Sequence, residues 1–198
     1  MSFESVYEMF NPLTELRKQH FWEWFEGSTL NSRWTQEQSG DAFMNDTIDG
    51  GFHLNANSGS NVLFGFNNIR QYDNQNSKMF SVARALVAFT ASGFVNDFTV
   101  NMSTGFQQFT ALMTIGGFYG FRSGNVGANT NVNSDISTDT NFHIFELELN
   151  PTDNIGSIEG IAKVVNTTTL PTLRLQPIFF AGGATGSLDV RYMEAFNI

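Results

Sequence analysis

The chain has 198 residues, 41% of them hydrophobic, which suits one domain with a substantial core and is too short to expect two. A net charge of −9 with only 10 Lys and Arg argues against a nucleic-acid surface, which needs basic residues in excess, and against docking on anionic membranes. With no cysteine, disulfide frameworks, thiol nucleophiles and cysteine-based metal sites are excluded. No apolar run reaches the roughly 20 residues of a membrane span. The opening MSFESVYEMF lacks the basic and apolar segments of a secretory signal, so the expected site of synthesis is a cytoplasm.

Phe occurs 21 times and Gly 18 times, and Asn is about as frequent as Phe. Phe fits pleated, half-buried surfaces, whereas Asn and Gly fit tight turns, so the composition points to many short strands. Residues 1–20 differ from the rest, being charged and helix-compatible. Asn11-Pro12 reads as an N-cap followed by proline at the first helical position, with Glu15 in the first turn. A short helix over Pro12–Gln19 is therefore expected, on an arm that either lies along the sheet or reaches a partner subunit.

From there the period is two. Val62, Phe64 and Phe66 share a face. Within Asp97–Ser103, Phe98, Val100 and Met102 alternate with polar residues. Phe109, Ala111, Met113 and Ile115 share a face. Phe145, Leu147 and Leu149 share another, with Glu146 and Glu148 opposite. In the closing run, Leu188, Val190, Tyr192 and Phe196 are expected on one face and Asp189 and Arg191 on the other. Turns are expected at Asp49-Gly50-Gly51, Asn57-Ser58-Gly59, Ser92-Gly93, Gly116-Gly117, Asn150-Pro151, Glu159-Gly160 and Gly182-Gly183. Short strands, frequent turns and almost no interior helix give an all-β fold of two antiparallel sheets over residues 21–198.

Several stretches, in order, resemble concanavalin A-like lectin/glucanase (LamG-like) jelly rolls. They are FWEWFEGSTLNSRWT (Phe21–Thr35), DGGFHLNA (Asp49–Ala56), FHIFELELNP (Phe142–Pro151), IEGIAKVV (Ile158–Val165), and the ending from LPTLRLQPIFF to GSLDVRYMEAFN (Leu170–Asn197). The resemblance spans nearly all of the chain after residue 20 and implies a two-sheet jelly-roll sandwich. More narrowly, LRKQHFWEWFEG, FNNIRQYDNQNS and YMEAFN are similar to stretches of jelly-roll proteins of tailed bacteriophages, which serve as decoration, cement, fibre or receptor-contact components.

The enzymes of this fold are retaining glucanases, which need two carboxylates about 5–5.5 Å apart. The resemblance places them on one mid-chain strand, as E-x-D-x-E or E-x-D-x-x-E, near Phe94–Phe121. That stretch holds Asp97 alone, with no further acid until Asp135, so no enzyme is expected. Glu146 and Glu148 are two apart and read as a solvated strand face. His20, His53 and His143 show no metal-ligand spacing, and no G-x-S-x-G motif is present.

Lectins of this fold hold calcium through loop oxygens. The clusters Asp41, Asn45, Asp46, Asp49 and Asn133, Asp135, Asp139 keep that cofactor open without an EF-hand spacing; no other is expected. For a sugar, Tyr119 with Arg122 and Arg70 with Tyr72 are the candidate ligand-binding sets.

The resulting expectation is a non-enzymatic virion structural or surface protein of a bacteriophage, assembling through its jelly roll and N-terminal arm. Its partners would be copies of itself, a trimer being favoured, and other capsid or virion proteins. A carbohydrate-binding, lectin-like module that recognises cell-surface glycan is the alternative.

Overall fold

The computed structural model describes residues 20–25, 32, 34–40, 43–46, 51–57, 61–66, 72–95 and 108–198, and all regular structure among them is β-strand. In chain order the strands are β1 (His20–Trp24), β2 (Trp34–Ser39), β3 (Phe43–Asp46), β4 (Phe52–Ala56), β5 (Asn61–Phe66) and β6 (Ser77–Val95). There follow β7 (Gln108–Ile115), β8 (Phe118–Asn125), β9 (Ala128–Ser137), β10 (His143–Leu149), β11 (Asn154–Ile158), β12 (Ala162–Asn166) and β13 (Gln176–Asn197). The expected arm and its helix lie outside the described residues except for His20, which opens β1. The Asp97–Ser103 run also lies outside them.

Every pairing is antiparallel, and the strands form two layers. Two long strands, β6 and β13, run through both. In the back layer the order is β12-β11-β10-β6-β13-β4-β3, with β1 beside the last residues of β13. In the front layer β9, β8 and β7 continue to the second half of β6, the first half of β13, β5 and β2.

Two of the expected turns lie within these long strands. Ser92-Gly93 lies inside β6, because Gly93 lets the backbone of β7 come close: a Cβ there would sit 2.2 Å from the Thr110 carbonyl oxygen. Gly182-Gly183 lies inside β13, where the register with β6 slips between Ala181 and Gly186 as the strand passes from one layer to the other.

Two further slips follow, between Ser187 and Leu188 and between Val190 and Tyr192. The extra residue at the latter, Arg191, is a β-bulge, and it corrects the expected faces of the closing run. Leu188 and Val190 face the core, but after the bulge Met193 and Ala195 take their place, both fully buried. Tyr192 and Glu194 join Asp189 on the outer face, each contacting side chains there. A one-residue insertion exchanges the two faces of everything beyond it. Gly51, at φ +95°, permits the close approach here, since a Cβ would lie 2.2 Å from the Val190 carbonyl oxygen.

The core fills the space between the layers. At one end Phe25, Trp34, Phe52 and Phe179 meet ring to ring at centroid distances of 4.5–6.1 Å. Phe121 and Leu112 of the front layer pack onto Gly156 of the back layer, where a Cβ would come within 2.7 Å of the Phe121 ring. One polar tie crosses the interior: the buried Asn154 amide donates to Thr110 Oγ1 at 2.9 Å.

The apolar face of β7 expected from Phe109, Ala111, Met113 and Ile115 does exist, with Phe180 packed beside it. It lies apart from the main core, which takes Leu112 from this strand.

Candidate functional site

Chemistry concentrates on the outer face of the back layer. Strand pairing sets side chains there in rows that cross the strands. One row is Trp24, Tyr192, Val82, Ile144; the next is Trp22, Glu194, Phe80, Glu146; the third is His20, Phe196, Lys78, Glu148. Beyond the bulge a further row holds His53, Asp189 and Arg84.

Each carboxylate of this face is held by a neighbour. Asp189, whose side chain is 3% exposed, accepts from His53 Nδ1 at 2.5 Å and from Arg84 Nε at 2.7 Å. Burial pushes its pKa up, but the hydrogen bonds and charges of His53 and Arg84 outweigh this and hold it below the usual carboxylate value. The Arg84 and Arg191 guanidiniums both stand over the Phe142 ring, at 4.6 and 3.9 Å from its centroid. Glu194 takes the Tyr192 hydroxyl at 3.1 Å and His20 Nε2 at 2.8 Å. Burial, together with the Glu194 charge and hydrogen bond, raises the Tyr192 pKa, so the phenol stays a donor. Lys78 Nζ bridges Glu146 at 3.2 Å and Glu148 at 3.4 Å.

A separate cluster closes the sandwich edge. His143 has Asp139 Oδ1 2.8 Å from Nε2 and Glu159 Oε1 3.2 Å from Nδ1. The hydrogen bond from His143, aided by the Asn141 amides, lowers the Asp139 pKa.

The four residues expected to contact sugar fall differently. Tyr119 is 2% exposed, wedged edge-on between His143 and Phe145 with its hydroxyl 3.3 Å from the Asp139 carbonyl. Tyr72 is 1% exposed, packs on Phe94 and bridges to Leu175. Neither ring offers a face to solvent for stacking, because both fill the gap between the layers. Arg70 lies outside the described residues. Arg122 stands half-buried on the outer face of the front layer, 5.6 Å from the Phe109 centroid, with exposed Asn131 opposite it on β9. Tyr119 and Arg122 thus share β8 but point to opposite faces of its sheet. Tyr119→Phe is expected to cost about 1 kcal/mol or less, read as a lower urea midpoint with unchanged m.

Of the calcium clusters, Asp41 and Asp49 lie outside the described residues and Asn45 and Asp46 belong to β3. Asn133 and Asp135 are exposed on β9, while Asp139 is turned to His143. Among the described residues no group of three His, Asp or Glu is placed to hold a metal.

Sequence reasoning missed the His53–Asp189–Arg84, Tyr192–Glu194–His20 and His143–Asp139–Glu159 groups. Two of them join residues 136 and 174 positions apart, which no local pattern reveals.

No protein-family model matches this sequence, and no curated protein matches it. Solved structures do match. The Bacillus licheniformis β-glucanase is 15% identical, with 90% of this chain and 98% of that one aligned at a TM-score of 0.59. A protein of unknown function from Shewanella oneidensis MR-1 is 10% identical over 100% and 94% of the chains, at 0.68. The carbohydrate recognition domain of Emp47p is 12% identical over 90% and 94%, at 0.61.

The fold is the concanavalin A-like jelly roll. At these identities the likeness establishes the fold alone. Within this jelly roll, enzymes and binding domains share one scaffold, and the side chains on its faces must decide between them.

Proposed function

We propose that this chain is a non-catalytic jelly-roll protein that works by binding, as a structural or surface component of a bacteriophage particle. The observation that carries the non-catalytic part is the state of its carboxylates. A retaining glycosidase needs one carboxylate as nucleophile and a second kept protonated as general acid. Asp139 and Asp189 are both held below the usual carboxylate value by their hydrogen-bond partners, so neither is kept protonated. Strands β7 and β8, QFTALMTI and FYGFRSGN, carry no acid at all. Glu146 and Glu148, the best-spaced pair, share the Lys78 ammonium.

The phage assignment is supported by the stretches LRKQHFWEWFEG, FNNIRQYDNQNS and YMEAFN. Assembly would use the jelly roll and the arm of residues 1–20, with copies of the chain and other virion proteins as partners. Light scattering after size exclusion tests this. A closed oligomer, a trimer first of all, that weakens when residues 1–19 are deleted supports it. A full-length chain that stays monomeric and does not sediment with particles overturns it.

A second reading, a carbohydrate-binding module, is favoured by one observation: an exposed tryptophan beside a carboxylate on the back layer. The two readings meet in a particle protein that recognises surface glycan.

A further inference from the structure

We infer that the row Trp24–Tyr192–Val82–Ile144, with Glu194 and His20 alongside, is a binding platform for a neutral pyranose glycan. The inference rests on the carbohydrate-binding reading and names its site: the outer face of the back layer, away from Tyr119, Arg122 and Tyr72. Trp24 is 56% exposed, although its chain neighbours in the fold, Phe25 and Trp34, are almost fully buried. Its ring lies 4.6 Å from that of Tyr192, at 43°, which fixes its orientation on the outer face. Two strands further along the same row, Ile144 is 44% exposed, with half-buried Val82 between. Neighbouring strands are about 4.8 Å apart, so this apolar strip crosses four strands and suits a short oligosaccharide rather than a single ring.

Polar groups run beside the strip. Glu194 lies half-buried on this face, where Tyr192 and His20 hold its carboxylate in place. Glu146 follows on β10, across Phe80. A pyranose presents a face of C–H groups and a rim of hydroxyls. The indole and phenol rings match the first, and the carboxylates match the second as acceptors.

The same charges disfavour a second protein copy as the occupant. Interface cores exclude charged groups, and burying Glu194, Glu146, Glu148 and Lys78 against protein would cost desolvation that sugar hydroxyls return as hydrogen bonds.

The test applies the full-length chain, Trp24→Ala and Arg122→Ala to a printed glycan array, with light scattering on each. Wild type should retain at least one neutral glycan. Trp24→Ala should weaken that retention by about tenfold or more at unchanged mass, Trp24→Tyr should restore part of it, and Arg122→Ala should leave it intact. Retention that survives Trp24→Ala overturns the platform while keeping the chain a glycan binder. Retention of no neutral glycan overturns the platform and the carbohydrate reading together. A mass that drops with Trp24→Ala makes the strip an interface between copies and also overturns the inference.

Discussion

Asp189→Ala is expected to lower the unfolding free energy by about 3 kcal/mol, the low end for removing one partner of a buried ion pair. The low end applies because His53 and Arg84 are themselves 20% and 25% exposed, so water screens part of what the loss leaves behind. At this size the change corresponds to a fall in Tm of roughly 6–12 °C. Asp189→Asn, which keeps acceptor capacity and loses the charge, should fall between. The folded-state pKa of Asp189 is below its unfolded value, so its stabilisation is present at neutral pH and disappears as pH falls below about 4. Urea melts of wild type and Asp189→Ala should therefore differ most at pH 7 and converge in acid. Curves that stay equally separated at pH 3 would show that the carboxylate charge is not what holds the cluster.

Phe179→Ala should be as damaging, at about 4 kcal/mol. Phe179 is fully buried and its ring meets those of Phe25, Trp34 and Phe52, so one truncation opens a cavity bordered by residues from three other parts of the chain. Those rings carry the contact between the N-terminal strands and β13, and they cannot collapse into the space without leaving their rotamers. Phe180→Ala is the control. Its neighbour side chain is half-buried beside Ala111 and Met113, away from the main core, and should cost distinctly less. Equal losses at 179 and 180 would contradict the assignment of faces.

Most of the fold was legible because alternation reports which residues face a core. FHIFELELNP became β10 with Phe145, Leu147 and Leu149 buried and Glu146 and Glu148 outside, as its period of two requires. Turn chemistry was equally direct at Gly116-Gly117, Asn150-Pro151 and Glu159-Gly160. The glycines that failed as turns, Gly93 and Gly182-Gly183, serve a different need, since they let long strands cross or slip past neighbours. The Arg191 bulge was invisible for a related reason. An inserted residue leaves the alternation of VRYMEAF readable in either phase, and only pairing with β6 chooses one.

The candidate site was less legible. Tyr119 and Tyr72 look on paper like the Tyr of any sugar site, yet depth in the sandwich turns them into core. No local pattern singles out Trp24, whose exposure follows from its pairing with Tyr192 on the outer face. The histidines read as isolated because their carboxylate partners come from distant strands.

Release of reducing ends from mixed-linkage and β-1,3-glucans tests the non-catalytic assignment most directly. Wild type, Glu146→Gln and a heat-denatured sample should give the same background at every pH. Sustained release by wild type that Glu146→Gln abolishes would make Glu146 and Glu148 a working pair and the protein a glycosidase.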